Sequence, residues 1–271
     1  MVSDHRIGID PSLLQWQPML RLATLSAVSV ACLIPVQAAV FLLSPPPVTV
    51  LEYFELFQRN PALGLLDLDL LLSLDYLVMI PLYLALFLLV RTRAATAAAL
   101  GLVLGLFSVV LFLVSREATF SMWLLSAQHA GTVDPVQRAA LIASGQLLLT
   151  LYGGGSFALS YLLGAGSTLF FSVPMFRHRI LGGAPGLIGI ITGVTMVIPA
   201  NLGTVGLVAA LLSLIPTLTW LILLARGLRG VHRDLSAVGE AEKGTPPGRA
   251  EGPQHTDDGA SSLSDGGRPY R

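Results

Sequence analysis

The chain has 271 residues, 54% of them hydrophobic and 12% charged, with a formal net charge of zero. Soluble domains carry about 25% charged residues, so too little polar surface is left here for a water-facing globule, and the bilayer is the solvent that suits the composition. Zero net charge excludes the broadly basic field that recruits nucleic acid. A single cysteine, Cys32, excludes an internal disulfide; it lies in an apolar run and reads as a small buried hydrophobe.

A spanning helix needs about 20 apolar residues. Residues 22–43 carry no charge and supply the first. This run exceeds the roughly 7–15 residues of a signal-peptide core and ends at three prolines, Pro45 to Pro47, so it reads as a retained anchor. Residues 48–59 form an amphipathic helix, with Val50, Leu51, Phe54 and Phe57 on one face and Glu52, Glu55 and Arg59 on the other. It is expected to lie flat at the outer interface. Asn60-Pro61 then reads as an N-cap followed by proline at the first helical position.

Residues 71–90 make a second span, interrupted only by Asp75, and 94–114 an uncharged third. Beyond it, 117–130 and 136–151 look helical. The turn from Gly131 to Pro135 has Asp134 as cap and Pro135 opening the second helix. An external hairpin extending the third and fourth spans is expected; a hairpin lying on the membrane surface is the alternative. No charge occurs from Ala139 to Phe176. Gly153-Gly154-Gly155 divides that run and places a fourth span at 156–176. The uncharged stretch from Ile180 to Ala225 holds a fifth span at 180–200 and a sixth at 205–225, split by Asn201 to Thr204. Residues 1–232 thus read as a six-span, all-α domain. Residues 233–271 are polar and rich in Gly, Pro and Ser, too poor in apolar surface to fold, and read as a disordered tail.

Cytoplasmic segments hold the excess of arginine and lysine. Arg6 and Arg21, Arg91 and Arg93, Arg177 and Arg179, and the C-terminal flank fall on alternate segments, which hold thirteen of the sixteen cations. Both ends are therefore expected in the cytoplasm. A seventh span within 139–176 would put Arg177 to Arg179 on the wrong side. Arginine outnumbers lysine fifteen to one, a bias that hints at a GC-rich bacterial genome and so at a bacterial cell membrane.

Asp75 lies about 8 Å inside the outer boundary, counting back from Val90 at 1.5 Å per residue. Ionisable groups at membrane depth are functional candidates. Asp75 could instead snorkel outward, favour the positive end of its helix together with Asp67 and Asp69, or pair with a neighbouring helix. Gln37, Asn201, Thr192, Thr195, Thr217 and Thr219 either bond between helices or line a polar cavity; Tyr76 and Tyr152 complete the candidate cavity set with Asp75, Gln37 and Asn201. Pro35, Pro81, Pro174, Pro199 and Pro216 can kink five of the spans. Gly101-x-x-x-Gly105 and Gly189-x-x-x-Gly193 allow close helix approach. Arg177, His178 and Arg179 set topology or contact a phospholipid head group. The triple glycine is not followed by Gly-Lys-Ser, so it is no phosphate loop, and His129 is a lone surface histidine. No catalytic constellation, metal set or cofactor motif emerges, and a non-enzymatic role is expected.

Several stretches resemble a bacterial membrane family known only as domain of unknown function 4386. They are Pro46 to Gln58 with Asn60 to Asp69, Ile80-Pro81-Leu82-Tyr83-Leu84-Ala85-Leu86, Gln137-Arg138-Ala139-Ala140 with Ala143-Ser144-Gly145-Gln146 before Tyr152-Gly153, and Leu211 to Pro216 with Trp220-Leu221-Ile222. The triple glycine departs from the single glycine expected there. The resemblance implies a multi-pass membrane protein without an assigned activity and carries no functional residues. The reading is therefore a membrane protein with an outward-facing cavity or surface for a small molecule or lipid. A secondary carrier and a scaffold subunit are the alternatives.

Overall fold

A computed structural model describes residues 11–198 and 203–244, and every regular element within them is a helix. Four helical stretches are long and apolar enough to cross a membrane: Leu14–Leu43, Leu70–Gly131, Pro135–Arg177 and Val208–Ala237.

A short 3-10 turn, Pro11–Trp16, leads into α1, Gln17–Leu43. Helix α2, Val50–Arg59, opens with a capping box: the Glu52 backbone N–H donates to Thr49 Oγ1 and the Thr49 N–H donates to Glu52 Oε2 at 2.9 Å. The backbone N–H groups of Thr49 and Val48, both donating to Glu52 Oε2, hold that carboxyl below its usual range. Helix α3, Pro61–Asp67, has Asn60 as its N-cap, accepting from Leu63 N–H at 3.2 Å, with Pro61 first, as the sequence predicts.

Helix α4, Leu70–Ser115, breaks its helical geometry at Ala94 (φ −151°, ψ 70°). Tyr76 and Phe112 stack across the break with ring centroids 3.7 Å apart. In a straight helix, residues so far apart in sequence would be about 54 Å from each other at 1.5 Å per residue. The chain therefore doubles back at Ala94 into two antiparallel arms, 70–93 and 95–115, which match the expected second and third spans.

Helices α5, Ala118–Gly131, and α6, Pro135–Tyr152, form the expected hairpin, with Asp134 Oδ1 accepting from Val136 N–H at 3.1 Å. The apolar side of helix α2 is covered by protein. Its buried face, Val50, Tyr53, Phe54 and Phe57, packs with Met122 of α5 and Leu68 into a separate core, against which Ile142 and Leu148 of α6 also pack. Tyr53 replaces Leu51 on that face; Leu51 points outward. The apolar face that the sequence marks is thus covered by α5 and α6.

Helix α7, Gly155–Arg177, follows the glycine break and packs along α4. Ser108 Oγ donates to the Ser160 carbonyl and Ser167 Oγ to the Gly101 carbonyl, each at 2.7 Å, stitching the second arm of α4 to α7. Helix α8, Gly183–Thr195, is shorter than the expected 180–200. Arg179, Leu181 and Gly182 all have positive φ, so no helix can begin before Gly183, and thirteen residues reach only about 20 Å. Helix α9, Gly203–Gly244, runs past the expected tail boundary at 233. Leu228 and Leu235 stay buried, two turns apart on one stripe, and keep the helix docked. The rest of the expected tail lies outside the described residues.

The bundle is apolar outside and has hydroxyls inside. Phe107, Val110, Leu162, Leu212 and Ile215 are exposed, whereas Ser108, Ser160, Ser167 and Ser172 are fully buried. That distribution suits lipid as solvent and hydroxyls as contacts between helices. Cys32 is exposed on this outer surface rather than buried. The helices continue through Pro35, Pro81, Pro174 and Pro216; Pro199 lies outside the described residues.

Candidate functional site

Where the hairpin core meets the bundle, the chain concentrates its buried charge. Asp69 and Arg116 lie about 25 residues before and about 22 after the reversal at Ala94, so the two arms deliver them to the same end. Arg116 Nη2 lies 3.0 Å from Asp69 Oδ2, and both side chains are almost wholly buried. The guanidinium sits 4.0 to 4.6 Å from the ring centres of Tyr152, Phe112 and Phe157, a cation–π cage. Its Nη1 also donates to the Tyr152 carbonyl at 2.9 Å, and the Tyr152 hydroxyl donates to Asp69 Oδ2. Asp69 itself adopts φ 63°. Beside it, Asp67 is 1% exposed and has no hydrogen-bond partner on either carboxylate oxygen. Burial, then the neighbouring Asp69, pushes its carboxyl up to about 6.

Deeper in the bundle, a cavity of about 120 Å³ touches α1, both arms of α4, α7, α8 and α9. Asp75 lines it, is 3% exposed, and has no partner on either oxygen among the described residues. Tyr76, Tyr83 and Trp220 supply aromatic wall; Ser108, Thr168, Thr192 and Thr217 supply hydroxyls. Apart from Asp75, no side chain on the wall is charged.

The sequence-derived set therefore divides. Asp75 and Tyr76 come together in the cavity. Gln37 does not join them: its Nε2 donates to the Leu66 carbonyl at 3.1 Å, tying α1 to α3. Tyr152 belongs to the Arg116 cage. Asn201 lies outside the described residues. The threonines of the last two spans do not bridge helices: Thr192, Thr195, Thr217 and Thr219 donate to carbonyls four residues back in their own helices. Arg177 and His178 border a separate apolar groove of about 470 Å³ between α4 and α7, while Arg179 occupies the left-handed turn beyond it.

Sequence reasoning missed Arg116, and it missed Tyr83, Thr168 and Trp220. A signal for the first was present. Two adjacent antiparallel spans of equal length bring the residues flanking them to one level, so an acid before the first and an arginine after the second are natural partners. No known family profile matches the chain, and no curated protein or solved structure matches it.

Proposed function

We propose that the protein is a non-enzymatic, multi-pass protein of a bacterial plasma membrane whose helix bundle holds a small ligand in the cavity around Asp75. The observation that carries this is the unpartnered Asp75 carboxylate on the wall of an otherwise uncharged internal cavity. An isolated buried charge is expensive, and a ligand that answers it is the economical reason for its presence.

In this reading the chain crosses six times with both ends cytoplasmic, and α2, α3, α5 and α6 form an external cap. The reversal at Ala94 supports two crossings in α4, and the alternation of arginine-marked turns supports the orientation. Helix α8 is then a short crossing held between α7 and α9. Kinship with the family of domain of unknown function 4386 belongs to this proposal and rests on the loop residues quoted above.

The test is native mass spectrometry of the full chain released from nanodiscs. The expected result is a small adduct on the wild type that is absent from Thr168→Leu, which fills the cavity. A wild type without adduct under all conditions contradicts a ligand-holding role and favours a scaffold. Uptake that requires Asp75 would extend the reading to a carrier.

A second reading, lipid binding at the opposite end, is favoured by the apolar groove bordered by Arg177 and His178. It expects anionic lipid to co-purify with the wild type and to be lost from Arg177→Ala.

A further inference from the structure

The chemistry of the cavity wall narrows the ligand. Ser108 Oγ donates its hydrogen to the Ser160 carbonyl, Thr168 Oγ1 to Gly164, Thr192 Oγ1 to Ile188 and Thr217 Oγ1 to Ser213. A hydroxyl has one hydrogen and two lone pairs, so each of these groups has only acceptor capacity left. The Asp75 carboxylate adds two acceptor oxygens without a donor. Against these acceptors stand few donors: Trp220 Nε1, which has no partner among the described residues, and the Tyr76 and Tyr83 hydroxyls. The wall is therefore rich in acceptors, holds one carboxyl group able to carry a negative charge and has aromatic surface from Tyr76, Tyr83 and Trp220.

We propose that this cavity takes a small primary alkylammonium ion, its N–H donors on the Asp75 carboxylate and its short hydrocarbon part against Ile34, Met79 and Leu221. The assignment rests on the cavity reading above. A volume of about 120 Å³ is several times the roughly 10–15 Å³ that one water requires, which leaves room for a small organic cation. Rings attract a cation over their faces, and N–H donors suit acceptors whose own hydrogens are committed. A bare metal ion fits less well. Hard cations take about six or more oxygen ligands, and here the oxygens are dispersed over three helices besides α4, with aliphatic side chains between them.

The test is equilibrium binding of radiolabelled ethylammonium to the full chain in nanodiscs, with propan-1-ol as a neutral probe of similar size. One saturable ethylammonium site per chain is expected. Asp75→Asn should weaken it at least tenfold while still admitting propan-1-ol, which shows that the variant is folded. Thr168→Leu should exclude both probes, and a hundredfold excess of sodium should not displace ethylammonium. Three results overturn the assignment: no saturable ethylammonium binding to the wild type, binding to Asp75→Asn within twofold of the wild type, or displacement by sodium. Unchanged ethylammonium binding to Thr168→Leu places the site elsewhere and overturns it too. If propan-1-ol binds the wild type and ethylammonium does not, the ammonium assignment falls and the cavity reading stands. If neither binds, both fall.

Discussion

Asp69 and Asp75 lie less than two turns apart on one side of the Ala94 reversal, yet their surroundings are opposite. Asp69 is answered by the Arg116 guanidinium and the Tyr152 hydroxyl; Asp75 is answered by nothing. Removing one partner of a buried pair strands the other charge, at a cost of about 3–5 kcal/mol, whereas replacing both with apolar groups is often neutral. Arg116→Met is therefore expected to lower the thermal unfolding midpoint sharply in detergent, and Arg116→Met with Asp69→Leu to recover most of the loss. For Asp75→Asn the midpoint should stay or rise, because no contact is lost. Asp67 gives a pH signature. Its folded carboxyl is pushed up to about 6, above the ordinary value of 3.8. The folded state therefore binds its proton more tightly than the unfolded chain, and the associated stability declines as pH rises from about 4 through about 6. Asp67→Asn should flatten that part of the stability profile and raise stability at neutral pH, read by unfolding midpoints across the range.

At the scale of elements, glycines within and beside the small-residue motifs mark close approaches. A methyl on Gly186 would overlap the backbone nitrogen of Phe176, and one on Gly101 would press to 3.1 Å against the Phe171 ring. Overpacking of this kind costs about 1–3 kcal/mol. Backbone cannot yield as a side chain can, so Gly186→Ala should lower the unfolding midpoint more than Gly101→Ala. Helix limits were legible wherever a cap or proline declares them, as at Asn60-Pro61 and Asp134-Pro135. They were not legible at α8, because the left-handed turn from Arg179 to Gly182 has no glycine until its last residue. The face of α2 was legible as apolar, but its partner was not. Amphipathicity reports that a helix has a covered side and not whether protein or lipid covers it, which is why Leu51 was misplaced and Tyr53 missed.

For the molecule as a whole, the inside-out distribution of polarity was legible from composition, and so was the isolation of Asp75, since a lone acid in an apolar run stands out. The remainder of the cavity was not. Tyr83, Thr168 and Trp220 are ordinary residues of three different helices, and only the packing of the bundle brings them beside Asp75. The arrangement proposed for the chain is a bundle of six crossings with a cap at one end and arginine-marked turns at the other. The most direct measurement places topology reporters in the turn at Arg93, in the hairpin at Thr132 and in the turn at Arg179, within the otherwise intact chain. Reporters at Arg93 and Arg179 are expected on the cytoplasmic side and the reporter at Thr132 outside. Thr132 and Arg179 reporting the same side would contradict that arrangement.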